Sequence, residues 1–183
     1  MRKLKVQVQM STDGFMASEQ GDVAWATLPW DPALTSYITD ITRSVDTILL
    51  GRRLAEGFIP AWAARPGAED PQAVDFMNQT PRLVLSTSLE TSPWPNASIV
   101  GGGLDEVAEL LNSDGGDVIA YGGGTLVSGL IRRRLVDELH LMINPVAIGA
   151  GMPVFGVHGT EHLELLEGRS FTCGITVLTY RCR

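Results

Sequence analysis

Apolar and polar residues alternate at the start of the chain, where Leu4, Val6, Val8 and Met10 are interleaved with Lys5, Gln7 and Gln9. A period of two predicts a strand over Leu4 to Met10. Ser11-Thr12-Asp13-Gly14-Phe15 then supplies turn chemistry, because an Asp-Gly pair reverses or kinks a backbone. Beyond a loop holding Trp25, Pro29, Trp30 and Pro32 the period lengthens. Leu34, Tyr37, Ile38 and Ile41 recur at helical spacing, and the β-rich run Thr47 to Leu50 predicts a second strand. Gly51-Arg52-Arg53-Leu54 follows it and opens a second, short helical pattern. Ala63 to Pro71, rich in Pro, Gly and charge, reads as a surface loop, and Arg82 to Leu85 as a third strand ending in the hydroxyl cluster Ser86-Thr87-Ser88.

Ser98 to Val100 predicts a brief strand, and Leu104, Val107, Leu110 and Leu111 an amphipathic helix that stops near Asn112 and Gly115-Gly116. Val118 to Tyr121 predicts the next strand. After Gly122-Gly123-Gly124, a further helix turns Leu126, Val127, Leu130 and Ile131 inward, and Arg132-Arg133-Arg134 form a solvated last turn favoured by the helix dipole. From Glu138 onward the pattern is of strands without helices. Leu139 to Ile143 leads through Pro145 and Gly149 to Pro153, and Leu163 to Leu166 and Ser170 to Tyr180 alternate as a closing hairpin. Alternating βα units followed by late antiparallel strands predict an α/β fold with a mixed, mostly parallel sheet covered by helices.

A single domain over residues 1–183 fits this pattern, since 44% apolar and 19% charged residues are ordinary for a globular core. The net charge of -7 opposes a nucleic-acid partner or a polybasic membrane surface. No apolar h-region follows Arg2-Lys3-Leu4-Lys5 and no apolar run approaches membrane-spanning length, so the expectation is a cytoplasmic protein. Cys173 and Cys182 make neither a metal pair nor a disulfide framework; Cys173 alternates with Phe171, Ile175 and Val177 on a predicted buried strand face. His140 falls in a strand, and His158 and His162 in a loop without carboxylates at ligand spacing, so no metal is expected.

Chemistry concentrates at the triple glycine. A strand-to-helix turn without Cβ atoms lets backbone N–H groups approach an anion, and the first helical turn adds partial positive charge; positive φ or tight packing alone also calls for such glycines. A P-loop needs Gly-Lys-Ser/Thr, and here Gly124 is followed by Thr125 and Leu126. A Rossmann fingerprint needs glycine where this chain has Val127. Gly-x-Ser-x-Gly is absent. Hydroxyls such as Ser86 and Thr87 at a strand end bond a phosphate or cap a turn. Asp13, Asp31 and Asp40 remain as candidate proton-handling groups.

In order along the chain, Ser11-Thr12-Asp13-Gly14-Phe15-Met16-Ala17, Gly51-Arg52-Arg53, Leu85-Ser86-Thr87 and Tyr121-Gly122-Gly123-Gly124-Thr125-Leu126 resemble the dihydrofolate reductase superfamily. Leu135 to Leu141 and Gly149 to Phe155 are similar to the reductase domain of bacterial riboflavin biosynthesis, above all to stand-alone proteins of that branch. The resemblance covers essentially the whole chain. It implies a dihydrofolate-reductase-like three-layer fold, helices on both sheet faces, and a reductase that binds NADPH. Gly122, Gly123, Gly124, Thr125 and Leu126 would hold the pyrophosphate, and Gly51, Arg52, Arg53 and Leu54 the other side of the cofactor's phosphates. Arg52 or Arg53 would pair with the 2′-phosphate, for which a planar guanidinium is suited, with Ser86 and Thr87 adding hydrogen bonds. Met10 to Ala17 would lie beside nicotinamide and substrate. That makes Ala17 a cofactor contact, Asp13 a substrate or proton-handling candidate as well as a plain turn residue, and Phe15 and Trp30 candidates to stack on a flat heterocycle. A homodimer, paired through the apolar late strands, is also implied.

True dihydrofolate reductases carry an acidic residue in the first helix, and counting back from Gly51 puts Thr35 there. Thr35 cannot do a carboxylate's work; Asp31, one turn earlier, is the alternative. The expectation is therefore hydride transfer to a small pyrimidine- or pterin-like heterocycle or a carbonyl compound, similar to reduction of 5-amino-6-(5-phosphoribosylamino)uracil in riboflavin biosynthesis. Dihydrofolate reduction and a non-catalytic nucleotide-binding sensor are the alternatives.

Overall fold

The computed structural model describes residues 1–26, 30–64, 70–156, 160 and 162–182; Pro29, His158 and residues 65–69 of the predicted surface loop lie outside them. Among the described residues ten strands are formed: β1 (Leu4–Ser11), β2 (Phe15–Ala17), β3 (Val45–Gly51), β4 (Arg82–Leu85), β5 (Ala97–Val100), β6 (Asp117–Tyr121), β7 (Glu138–Asn144), β8 (Met152–Pro153), β9 (Leu163–Ser170) and β10 (Thr176–Cys182). Five helices join them: α1 (Pro32–Thr42), α2 (Arg52–Ala63), α3 (Pro71–Gln79), α4 (Gly103–Leu111) and α5 (Gly124–Arg132). Eight strands make one sheet in the order β5-β4-β3-β6-β1-β7-β10-β9. The first six run parallel, and β10 and β9 close the edge antiparallel, as the sequence pattern predicts. β2 and β8 form a separate two-stranded ribbon.

β1 lies inside the sheet, between β6 and β7. Its residues Leu4, Val6 and Val8 form a core with Val118, Ala120, Leu139 and Leu141, against Val107 and Leu111 of α4 and Leu126, Val127, Leu130 and Ile131 of α5. Each fully buried aliphatic side chain there contributes about 1.5–3 kcal/mol. The opposite face carries two separate apolar clusters. One sets Ile48, Leu50, Ile119 and Tyr121 under Ala55 and Ile59 of α2 and Met77 of α3. The other sets Met142, Val177 and Ile175 under Leu34, Tyr37 and Ile38 of α1. Between these clusters, β1 presents Lys5, Gln7 and Gln9 to that face.

Two sequence expectations need correction. Pro71 does not end a loop; it opens α3, with Asp70 as its N-cap accepting from the amides of Gln72 and Ala73. Asp-Pro is a helix-start signal, but only Val74 and Met77 are buried in this short helix, too few to show a period. The strand expected over Ser170 to Tyr180 is interrupted by a turn, so Cys173 stands half-buried in that turn instead of on a strand face, and its amide donates to Asp31. The Gly149 to Pro153 segment, to which the pattern assigns no element, contains β8, which pairs with β2. No described helix is long and apolar enough to cross a membrane.

Candidate active site

The register of the parallel strands brings the predicted motifs to one edge. Leu49 of β3 pairs with Ala120 of β6, Gly51 with Leu85 of β4, and Leu85 with Val100 of β5. Gly51 and Gly122 therefore sit side by side, one strand spacing apart, with Ser86 beyond Gly51. α2 and α5 start from this edge at adjacent strand ends. Their N-caps, Gly51 and Gly123, offer no side-chain cap, and neither helix has an acidic residue in its first turn. α1 and α3 are closed by Asp31 and Asp70, and α4 carries Asp105 and Glu106 in its first turn, with Glu106 accepting from the Gly102 amide. Among the described helices, α2 and α5 are the two whose positive ends are left for an external anion.

The glycines divide into two kinds of work. A Cβ on Gly51 would lie 3.8 Å from Cβ of Leu126, and one on Gly122 would lie 3.6 Å from Leu54. The two turns thus interlock, each helix resting its first-turn leucine on the other's glycine. Gly123 is different: its φ is +81°, and nothing stands within 4 Å of where its Cβ would be. Gly51 and Gly122 make ordinary van der Waals contact with those leucines, and Gly122 has a positive φ of +27°; Gly123 is an open, left-handed turn residue that exposes amides. Thr125 is exposed beside it.

The other predicted cofactor contacts fall unevenly around this cradle. Arg52 is ion-paired with Glu56 one turn on, while Arg53 is exposed and forms no ion pair among the described residues. The hydroxyl of Ser86 accepts from the amides of Ser88 and Leu89 at 3.2 and 3.0 Å, so it caps its own turn. Thr87 next to it is exposed. On the other flank the β2–β8 ribbon approaches α5: a Cβ on Gly124 would lie 3.5 Å from Sδ of Met16 and 3.7 Å from the carbonyl of Pro153. Ala17 is buried in that ribbon, and Phe15, half-buried, pairs with Pro153. Trp30 is exposed just before α1, with no ring contact among the described residues.

The carboxylates are all engaged elsewhere. Asp13 accepts from the amide of Ile148 at 3.1 Å and of Gly149 at 2.7 Å, bracing the loop ahead of β8. The Ser11 hydroxyl and the Gly149 amide hold its carboxyl below the ordinary value, so at neutral pH it has no proton to give. The turn role of Asp13 is the one this geometry supports. Asp40 pairs with Arg43 on the exposed side of α1. Asp31 caps α1 through the Leu34 amide at 2.8 Å and accepts from Thr172 Oγ1 at 2.6 Å and the Cys173 amide at 3.1 Å, tying α1 to the β9–β10 turn. Thr35 bonds back to the Asp31 carbonyl. The Thr172 hydroxyl, then the Leu34 amide, lower the Asp31 pKa to about 2. A depressed carboxyl stabilises the fold above its unfolded pKa, and that contribution is lost as pH falls towards about 2. Asp31→Asn is expected to flatten the loss of stability between about pH 4 and pH 2, measured by urea unfolding; an unchanged acid limb would show the bonds to be inert.

β1 carries a polar face whose surroundings periodicity alone does not give. Lys5, Gln7, Gln9 and Ser11 form one face of β1, with Lys5 satisfied by Asp117, Ser44 and the Ile41 carbonyl. Gln7 and Gln9 both donate to Sδ of Met142, at 3.0 and 3.3 Å. Tyr121, immediately before the triple glycine, stacks on Phe58 of α2 with ring centroids 5.4 Å apart. His140, read as structural, is buried, its Nδ1 2.7 Å from the Tyr37 hydroxyl; His162 is exposed. The signal was present in the alternation of β1. A polar face reads as solvent-facing in an isolated strand, but β1 lies inside the sheet, so Lys5, Gln7 and Ser11 are buried.

With this edge defined, comparison with known proteins is decisive. Residues 2–177 match the model of the RibD C-terminal domain. The chain belongs to that family. Within reach of it, YyaP of Bacillus subtilis (strain 168) is 29% identical over 185 residues, covering 98% of this chain and 94% of its own. Among solved structures, a protein of Shewanella sp. PV-4 assigned to riboflavin biosynthesis superposes with a TM-score of 0.74 at 20% identity, covering 99% of each chain. The diaminohydroxyphosphoribosylaminopyrimidine deaminase/5-amino-6-(5-phosphoribosylamino)uracil reductase of Thermotoga maritima gives 0.71 at 15% identity; this chain is covered completely and spans 57% of that one. Dihydrofolate reductase of Enterococcus faecalis, solved with NADP(H), gives 0.63 at 15% identity over 99% of this chain and 96% of its own. The family thus has the dihydrofolate-reductase-like fold that the motif order implied.

Proposed function

We propose that this protein is an NADPH-dependent reductase acting on a small pyrimidine- or pterin-like heterocycle. The observation that carries the reading is the pair of uncapped, acid-free helix N-termini, α2 and α5, that open at the ends of adjacent strands. Such a pair suits a diphosphate, and the open turn at Gly123 leaves backbone amides for it. Membership in the RibD C-terminal family, and the reductases of like fold named above, support the same reading.

When bound, NADPH supplies a hydride; the protein supplies binding, orientation and exclusion of water. Gly122 to Leu126 would hold the pyrophosphate, Gly51 to Leu54 and Thr87 the adjoining phosphate groups, and the β2–β8 ribbon would close over the nicotinamide end. With Asp13 and Asp31 ionised and engaged, the proton comes from solvent. That argues against the folate chemistry that a carboxylic acid on α1 would serve.

Fluorescence titration with NADPH and NADH tests the reading: binding of neither below about millimolar, far weaker than ordinary enzyme sites, would end it. Replacing both Arg52 and Arg53 by Ala is expected to weaken NADPH about a hundredfold and NADH little, because a charge-assisted pair with the 2′-phosphate is lost. Most of that loss should come from Arg53, since Glu56 already pairs with Arg52. Equal weakening of both cofactors would refute the assignment. We also propose a homodimer joined at the β9 edge, where Leu165 and Leu166 are exposed; sedimentation showing only monomer at micromolar concentration would exclude it.

A further inference from the structure

At the opposite edge of the sheet from the glycine cradle, a cavity of about 340 Å³ opens beside the start of β4. That volume is in the range of small-ligand pockets. Its walls are mostly apolar: Ile59, Pro60 and Ala63 come from α2, and Trp94 and Pro95 from the loop before β5. Arg82, the first residue of β4, also lines it and is 4% exposed. The cradle is built at the other ends of these parallel strands, beyond Leu85 and Gly51, so the length of β4 separates the two. α1 packs over β7 and β10, on the far side of α2 from β4 and β5, and takes no part in the cavity.

The walls are fixed by bonds of their own. Asn96 Nδ2 donates to the carbonyls of Asn78, Gln79 and Thr80, closing the C-terminus of α3, and Asn78 Nδ2 donates to the Trp62 carbonyl of α2 at 3.0 Å. The Ser92 hydroxyl accepts from the Trp94 amide and donates to its carbonyl. Arg82 stands apart from this arrangement. Its Nε and Nη2 donate to the carbonyls of Asn96 at 3.5 Å, and of Asn78 and Pro95 at 3.2 Å, which leaves both N–H groups of Nη1 unused among the described residues. No carboxylate lines the cavity, and Arg82 forms no ion pair among the described residues. Burial pushes its pKa below the ordinary arginine value, but a guanidinium stays charged at neutral pH. The negative end of α3 offsets part of that charge. Carbonyls ask for donors, which a neutral amide also supplies; they do not account for a buried full charge, which is normally paired.

We propose that this cavity is a second binding site, for a small apolar monocarboxylate. The carboxylate accepts from Nη1 of Arg82, and the hydrocarbon body packs on Ile59, Ala63 and Trp94. The chemistry of the walls selects this class. A neutral apolar molecule leaves the guanidinium without a counter-charge. A phosphate lays a strongly hydrated anion against Ile59, Pro60 and Pro95, and a dicarboxylate strands its second charge, because Arg82 is the one charged residue among those lining the cavity. The site is independent of the reductase reading and uses no residue of the cradle.

The test is calorimetric titration of the whole protein, without nicotinamide cofactor, by phenylacetate, by 2-phenylacetamide, which keeps the shape without the charge, and by acetate, which keeps the charge without the body. Wild type is expected to bind phenylacetate below about 1 mM, and at least about tenfold more tightly than either control. Arg82→Gln retains donors for the carbonyls and should bring the ratio of acid to amide to about one. Ala63→Leu fills the cavity from the exposed side of α2 without touching Arg82; it should melt within about 2 °C of wild type and weaken phenylacetate at least about tenfold. Should Arg82→Gln fail to fold, Ala63→Leu and the wild-type ratios decide. Arg53→Ala, at the cradle, should bind phenylacetate as wild type does. Weaker binding by wild type, no preference over the amide or acetate, a ratio that survives in Arg82→Gln, or full affinity in Ala63→Leu would overturn the proposal. So would a loss confined to Arg53→Ala, which would put the anion at the cradle.

Discussion

Gly123→Asp is expected to fold and to bind NADPH more than about a hundredfold more weakly than wild type. The residue has φ of +81°, which Asp and Asn tolerate better than other side chains, and nothing stands within 4 Å of the new Cβ. The cost to the fold should be about 1–2 kcal/mol of backbone strain. The cost to binding is electrostatic. A carboxylate at the mouth of α5 neutralises the helix N-terminus and stands against the diphosphate; two like charges about 4 Å apart at a protein surface repel by up to about 4 kcal/mol. Gly123→Asn separates charge from shape, since it places a side chain of the same size without the charge. It should lose less than about tenfold, the effect of crowding alone. Cofactor titration of the two variants decides between the possibilities. Equal losses would mean that the turn is read by shape, and normal binding by the Asp variant would mean that no phosphate sits there.

That experiment bears on the part of the site most legible in the sequence. The triple glycine, Gly51-Arg52-Arg53 and Ser86-Thr87 are local signals, because each is a strand end handing the chain to a turn or helix, and the parallel sheet then aligns them. What the sequence could not convey was how each glycine is used. Gly51 and Gly122 lie in van der Waals reach of Leu126 and Leu54 from across the turn. That is a tertiary contact between residues about seventy positions apart, invisible to periodicity. Side-chain roles were equally hidden. The sequence offers Asp13 as a turn residue or a proton-handling group and Asp31 as a candidate acid; both are anchored to backbone amides of distant loops, at Gly149 and Cys173. Gln7 shows the converse. Its alternation with Val6 and Val8 was plain, but the meaning of a polar face depends on whether the strand is at the edge or the centre of the sheet. That is a property of strand order, fixed here by β6 and β7 flanking β1. Helix α3 buries only Val74 and Met77, too few positions to register as a period against a Pro-rich neighbourhood.

The largest loss of stability is expected at a residue with no part in binding. A Cβ on Gly151 would lie 2.2 Å from the Ala17 carbonyl oxygen and 3.2 Å from its carbon, both main-chain atoms that no rotamer change can move. The ribbon cannot widen to make room, because Ala17 pairs with Met152 and the loop behind is fastened by Asp13 to the amides of Ile148 and Gly149. Gly151→Ala should therefore cost about 3 kcal/mol or more. In a chain of 183 residues that lowers the melting temperature by about 6–12 °C. The same substitution at Gly57 gives the contrast. That glycine is exposed within α2 with no atom within 4 Å of the added methyl, and alanine there should stabilise by about 0.5–1 kcal/mol. The loss at Gly151 should also reach the cofactor. Met16, one residue before Ala17 in β2, stands 3.5 Å from where a Gly124 Cβ would be, so a displaced ribbon disturbs the start of α5. Calorimetric melting of both variants, with NADPH titration well below the lower transition, measures the two effects together. A Gly151→Ala protein that melts within about 2 °C of wild type, a shift worth under about 1 kcal/mol, would show that the ribbon does not close on Ala17 in this way.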